Sequence, residues 1–167
     1  MKAVRDGILL FIGAVAVSLT QAWYFYPLLP ERVASHFGPD GRADGWTAKD
    51  AFIGVSVGTI LFLSVFMSAL SALIARIPDE AINLPNKEYW LAPERRAASL
   101  AAVQDRMSVM NTATVAFLLY VFQCAYEANL KPDPRLDGPF WLVPAVYFVF
   151  VGVWSFGFYG RFRLPRQ

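Results

Sequence analysis

His36, Asp40 and Asp44 form the tightest grouping of chemistry-bearing side chains in this chain of 167 residues, and His36 is its only histidine. Imidazole and carboxylates together suit zinc or manganese. Helical i, i+4 spacing would align all three on one face, but Gly38, Pro39 and Gly41 break such a helix. The alternating acidic pattern of a calcium loop, closed by a distal Glu, is absent. The expectation is no metal and no cofactor, with His36 and Asp44 bonding backbone groups of a turn and pairing with Arg32 or Arg42. Catalytic motifs are equally scarce. The sequence has no HExxH, no GxSxG, no phosphate-cradling glycine loop and no suitably placed His/Cys pair. The single cysteine, Cys124, excludes an internal disulfide and lies in an apolar run, where a thiol usually serves as a small hydrophobe. No catalytic residue is assigned, and the chain reads as a non-enzyme.

The elements that position these residues are four long apolar runs, over residues 7–29, 51–75, 107–126 and 140–160, none with a charge in its central part. At about 1.5 Å per residue, about 20 helical residues cross a hydrocarbon core about 30 Å thick. The predicted fold is an all-α integral membrane domain of four transmembrane helices spanning residues 1–167, with no separate soluble module. Hydrophobic residues make up 56% of the chain. A net charge of +2, with aromatics confined to apolar runs, gives no basis for nucleic-acid binding. Lys2 and Arg5 before the first run, with Thr20-Gln21-Ala22, loosely resemble a cleavable signal. Hydrophobicity continues through Trp23-Tyr24-Phe25-Tyr26 to Leu29, so a retained helix is expected.

Lys and Arg set the orientation. Lys2, Arg5, Arg76, Lys87, Arg95, Arg96, Arg106, Arg161, Arg163 and Arg166 fall on one side of the predicted bundle; Arg32, Arg42, Lys49, Lys131 and Arg135 fall on the other. Ten against five places both termini and the connection 76–106 in the cytoplasm. The connections 30–50 and 131–138 then face outward, in a multi-pass protein of the cell inner membrane whose first partner is the lipid bilayer.

Within the runs, Pro27 and Pro30 suit an exit from the first helix, and Thr47 or Asp50 could cap the second. Gly54 and Gly58 begin a small-residue pattern continued by Ser64, Ser68, Ser71 and Ala72, which predicts close packing inside the bundle. Pro93 and Glu94 suit the start of a helix with no Gly or Pro before Asn129, so one long helix is expected. Its early turns carry an apolar stripe of Leu100, Val103 and Met107. Asn111, Thr112, Thr114 and Gln123 are expected to bond across helices. Glu127 reads as an interfacial carboxylate near Lys131.

Residues 30–50 are dense in specific shapes rather than simple linker. Pro39-Asp40-Gly41 is a turn in which Pro presets φ and Gly permits positive φ. Gly45-Trp46 suggests a second bend that lays an indole at the interface. A compact, membrane-apposed outer cap is expected. The segment from Leu29 to Trp46, through Pro30, His36, Phe37, Gly41, Asp44, Gly45 and Trp46, resembles a bacterial family of unknown function. That family's pattern is a proline, a short helix, His-Phe or His-Trp, a glycine turn, then Asp-Gly and an aromatic. The same domain opens the SdpI-like proteins, which include a bacteriocin immunity protein that also acts in signalling. The central stretch from Ile82 to Arg96 also resembles small four-span members, although SdpI-like proteins are usually longer. The resemblance implies an architecture more than a job.

Two sets of candidate site residues follow. In the outer cap they are Pro30, His36, Phe37, Asp40, Asp44 and Trp46, for a ligand or partner. In the cytoplasmic connection they are Asn83, Asn86, Lys87, Tyr89, Trp90, Arg95 and Arg96. There Tyr89 and Trp90 would enter the inner leaflet while the basic residues meet anionic headgroups, or Trp90 would pack under the bundle, or a cytoplasmic protein would dock. The expected function is non-catalytic: a sensor, immunity-type or accessory subunit with a membrane or cytoplasmic protein partner. The alternatives are a small ion-coupled transporter using Glu127, Gln123 and Asn111, and a membrane enzyme using His36 and Asp44.

Overall fold

The computed structural model describes residues 2–164, so Arg166, counted above for orientation, lies outside the described residues. Among the described residues five α-helices are present: α1 (Lys2–Phe25), α2 (Lys49–Leu73), the single-turn α3 (Lys87–Trp90), α4 (Pro93–Ala128) and α5 (Leu142–Arg161). All but α3 are long and apolar enough to cross a membrane. Their limits follow the sequence signals. α1 stops two residues before Pro27, and Pro93 lies in the first turn of α4 with Glu94 beside it. A missing N–H and a negative charge are both favourable there. With no Gly or Pro to interrupt it, α4 runs for 36 residues. That is about 54 Å at about 1.5 Å per residue, so it extends well beyond one hydrocarbon core.

The all-α expectation holds for the spans but not for the connection between α1 and α2. Arg32–Phe37 (β1) and Ala43–Ala48 (β2) pair as an antiparallel hairpin, where the family pattern implied a short helix. A lone turn of helix would leave most of its backbone groups unpaired, whereas the hairpin pairs them while burying the adjacent Val33 and Ala34. Thr47 and Asp50 do not cap α2 either. Ala48, in extended conformation, occupies the cap position without a side-chain bond, because β2 runs directly into the helix. The Lys49 N–H is instead taken by the Glu31 carbonyl at 3.0 Å.

α1, α2 and α4 form the packed core of the bundle, and α5 leans mainly on α4, burying none of its own residues. Ala14, Ile60 and Val115 meet at mid-depth. Polar side chains cross-link the same helices, except that Thr112, expected to do so, donates to the Ser108 carbonyl of its own helix at 2.9 Å. Gln21 Nε2 donates to Gln123 Oε1 at 2.9 Å and to the Leu119 carbonyl at 3.1 Å. Gln104 Nε2 donates to the Ser71 carbonyl at 3.0 Å, and Asn111 Nδ2 to Ser68 Oγ at 3.1 Å. Thr114 Oγ1 and the Tyr147 hydroxyl lie 2.8 Å apart, and Phe117 stacks on Tyr147 with centroids 4.2 Å apart, which ties α5 to α4. Such interhelical bonds contribute about 0.6 kcal/mol each on average in lipid.

Gly54 and Gly58 do not bring helices together: a Cβ on either would meet nothing within 4 Å. At about 100° per residue, positions two removed from Ser56 and Ile60 lie on nearly the opposite side of α2. Ser56, Ile60, Ser64 and Ser71 take the buried face instead. The close approach of α1 to α2 occurs at Gly7, where a Cβ would come within 3.0 Å of the Ser68 side chain.

The bundle has two unlike ends. At the terminus end, Ile82, Leu84 and Leu91 of the α2–α4 connection bury against Leu100, Val103 and Phe162, so the predicted stripe on early α4 forms a small second core. At the opposite, hairpin end lie β1, β2 and the α4–α5 connection.

Candidate functional site

The hairpin is irregular in a way that sets which side chains it exposes. Ala34 pairs with Trp46, His36 with Gly45 and Phe37 with Ala43, so the register shifts twice within four residues of β1. Ser35 and then Asp44 are left as bulged residues, and bulges re-aim side chains. The result brings the His36 Nδ1 and Asp44 Oδ1 atoms into a direct pair. Gly45 permits this close crossing, because a Cβ there would lie 2.8 Å from His36 Cβ. His36 and Asp44 therefore bond each other and not Arg32 or Arg42. Asp40 is the partner of Arg42, accepting its backbone N–H at 3.1 Å and lying 3.7 Å from its guanidinium. Among the described residues no group of three or more His, Cys, Asp or Glu side chains could hold a metal ion.

The hairpin is joined to the α4–α5 connection as one cap. Asn129, just past the end of α4 and 3% exposed, uses its side-chain amide as a strand would: Oδ1 accepts the Ala34 N–H at 2.6 Å and Nδ2 donates to the Ala34 carbonyl at 2.9 Å. On the other side of the turn, the Leu136 N–H donates to the Gly41 carbonyl at 2.9 Å and Ala43 N–H to the Pro134 carbonyl at 3.3 Å. Gly41 has φ of +79°, and a Cβ there would lie 2.7 Å from the Leu136 carbonyl oxygen. Conformation and contact both demand glycine at that position.

Beneath the cap, Phe25, Leu29, Val33, Phe52, Ala125 and Tyr126 bury together, and Phe37 packs against them. The Tyr126 ring stacks on Phe25 with centroids 4.9 Å apart and meets Phe52 edge-on, and its hydroxyl bonds Ser56 Oγ. The cap therefore rests on side chains from three helices.

Pro30, His36, Asp40, Asp44 and Trp46 are all exposed at the cap surface. Asp44 and Trp46 share the exposed face of β2, which alternates along the strand. An apolar groove of about 790 Å³ lies beside the cap, lined by Trp23, Tyr24, Tyr26, Pro27 and Ile53 among others. Such an aromatic cluster suits the depth of lipid headgroups. A second, polar cavity of about 230 Å³ opens between Tyr120, Cys124, Glu127, Lys131, Asp137 and Phe140. Glu127 does not pair with Lys131 there. It accepts from Gln123 Nε2 at 2.7 Å, while Lys131 bonds Asp137 at 2.8 Å and the Arg135 carbonyl at 3.1 Å.

At the terminus end the candidate residues are drawn into the fold. Trp90 Nε1 and Asn86 Nδ2 both donate to the Phe162 carbonyl at 2.9 Å, satisfying an acceptor just past the end of α5. Arg95 lies over the Tyr89 ring at 4.0 Å and donates to the Tyr89 carbonyl at 2.7 Å. Arg96 pairs with Asp79 at 2.8 Å. Lys87 reaches the Glu80 carbonyl at 3.4 Å, and Asn83 and Lys87 line an open groove with Leu164.

Sequence reasoning missed Asn129, Tyr126, Ser56 and the part played by Leu136. The hairpin itself had a signal: a turn of five residues containing Gly, flanked by Val33 and Phe37 before and Trp46 after. Asn129 had none, because its role depends on which backbone it meets.

No curated protein and no solved structure matches the chain. Residues 9–67, which hold most of α1, the whole hairpin and most of α2, match the family model described as a domain of unknown function (DUF1648). That match contains the segment from Leu29 to Trp46, whose motif resembles a family of unknown function.

Proposed function

We propose that the protein is a non-catalytic, SdpI-like multi-pass protein of the bacterial inner membrane, with its hairpin cap outside and both termini in the cytoplasm. In this reading the cap is a receptor surface for a peptide or protein, in a sensor, immunity-type or accessory subunit. The supporting observation is that the cap is held from below by Asn129 on Ala34, while His36, Asp44 and Trp46 remain exposed above. Asn129 directly follows α4, the helix that also builds the terminus-end core. A partner that shifts the hairpin thus acts on the element that reaches the cytoplasmic connection.

A photo-crosslinking amino acid at position 36 or 46, with position 62 on the lipid-facing side of α2 as control, tests this in cells. The reading expects a discrete protein adduct from positions 36 and 46 that Asn129→Ala abolishes. Adducts only to lipid at all three positions would contradict it.

A second reading, a small ion-coupled carrier, draws on one observation. Gln21, Gln123 and Glu127 form a hydrogen-bonded chain from α1 across α4 to the cavity beside Lys131. Uptake that survives Glu127→Gln would remove its support.

A further inference from the structure

Where α1, α2 and α4 meet near the terminus end, a small cavity of about 30 Å³ is lined by the polar Asp6, Ser68, Ser71, Ser108, Asn111 and Thr112 together with the apolar Leu10 and Met67. Its composition is unusual for a bundle in lipid, where every polar atom needs an internal partner. Asn111 is 3% exposed, and its Oδ1 has no hydrogen-bond partner. Its Nδ2 donates to Ser68 Oγ at 3.1 Å. Two neighbouring hydroxyls donate elsewhere. Thr112 Oγ1 donates to the Ser108 carbonyl at 2.9 Å, and Ser71 Oγ points its donor at the Gln104 carbonyl at 3.5 Å. Asn111 Oδ1 thus presents the cavity with an oxygen acceptor that no donor meets.

An occupant must therefore bring positive charge or hydrogens. We propose that this cavity is a sodium-sized monovalent cation site, ligated by Asn111 Oδ1, the Ser68 and Ser71 hydroxyls and the Asp6 carboxylate. These ligands are hard oxygen donors, which suit an alkali or alkaline-earth ion. A single carboxylate, already shared with Arg5 at 3.1 Å, favours one positive charge over two. The volume accommodates an ion that has shed most of its water, and the fit is tight because α1 passes so close to α2 that a Cβ on Gly7 would lie 3.0 Å from the Ser68 side chain. An ion here would tie together the three helices that carry the bundle, and polar groups so placed in membrane proteins often mark ion sites. The inference stands independently of the receptor reading of the cap.

Thermal unfolding of the purified full chain in detergent tests it, followed by tryptophan fluorescence in sodium, potassium or N-methylglucamine chloride at one ionic strength. A ligand that binds only the folded state raises the midpoint with concentration. The expected result is a saturable rise of several degrees with sodium and a smaller one with potassium. Asp6→Asn should lose the sodium response, with one midpoint in sodium and in N-methylglucamine; if that variant does not fold, Ser68→Ala provides the same comparison. Identical wild-type curves in sodium and N-methylglucamine would overturn the proposal and leave the cavity to water. A sodium response retained in full by both variants would also overturn it, because the ion would then bind elsewhere.

Discussion

The side-chain amide of Asn129 takes both backbone groups of Ala34, accepting its N–H at 2.6 Å and donating to its carbonyl at 2.9 Å. One residue from the end of the long helix α4 thereby completes the pairing of a strand that is ninety-five positions away in sequence. Nδ2 also reaches the Ala125 carbonyl at 2.9 Å, so the amide is fixed from the helix side as well.

Asn129→Ala leaves the buried Ala34 N–H and carbonyl without partners, at a cost of about 1–3 kcal/mol for each group. Asn129→Asp keeps an acceptor for the N–H but sets a carboxylate against a carbonyl oxygen. Both variants should speed hydrogen exchange across residues 32–48 while amides in the middle of α2 and α4 keep their protection. Unchanged exchange in the hairpin would show that Asn129 does not hold it.

Glycine substitutions should divide sharply. Gly41→Ala combines a φ of +79° with a Cβ 2.7 Å from the Leu136 oxygen, and it should separate the hairpin from the α4–α5 connection with a loss of about 1–3 kcal/mol. Gly54→Ala and Gly58→Ala meet open space in α2 and should be neutral or stabilising by up to about 1 kcal/mol. Unfolding midpoints of the three variants make the comparison. A marked loss in Gly54→Ala or Gly58→Ala would mean that this face packs against another molecule.

Tyr126 is 1% exposed and supports the cap through its ring and its hydroxyl. Tyr126→Phe removes only the bond to Ser56 and should cost about 0.5–1.5 kcal/mol. Tyr126→Ala also removes the stacking on Phe25 and leaves a cavity, for a loss of about 3–5 kcal/mol. In a cycle with Ser56→Ala, the Tyr126→Phe change should lose most of its effect; fully additive losses would contradict the bond.

At the terminus end, Trp90→Phe and Asn86→Ala each remove one donor from the Phe162 carbonyl. Either alone should be mild, because the other donor remains. The double variant should loosen the last turn of α5, read as faster exchange or proteolysis near Arg161. Resistance equal to the wild type would show that the two donors do not secure the end of α5.

The spans were legible because burial in lipid demands long apolar runs, and α4 was legible to its full length because Pro93 starts it and nothing breaks it before Asn129. The hairpin was half legible. Its turn at Pro39-Asp40-Gly41 was read correctly, but Gly45 and Asp44 obscured the strand alternation, and the two register shifts explain why. The choice between Gly54/Gly58 and the serines as the packed face of α2 could not be read from small-residue spacing. That spacing fits either face, and only the positions of α1 and α4 decide between them. Pairing of His36 with Asp44 was likewise invisible, since it depends on bulges that place residues eight apart side by side.

The receptor account stands or falls on where the hairpin lies, and cysteine accessibility in intact spheroplasts measures that directly. In a Cys124→Ser background, Asp40→Cys reports on the cap and Glu88→Cys on the terminus end; both positions are exposed. The account predicts that a membrane-impermeant maleimide labels position 40 in intact spheroplasts and position 88 only after lysis. Labelling of position 88 from outside, with position 40 protected until lysis, would contradict it.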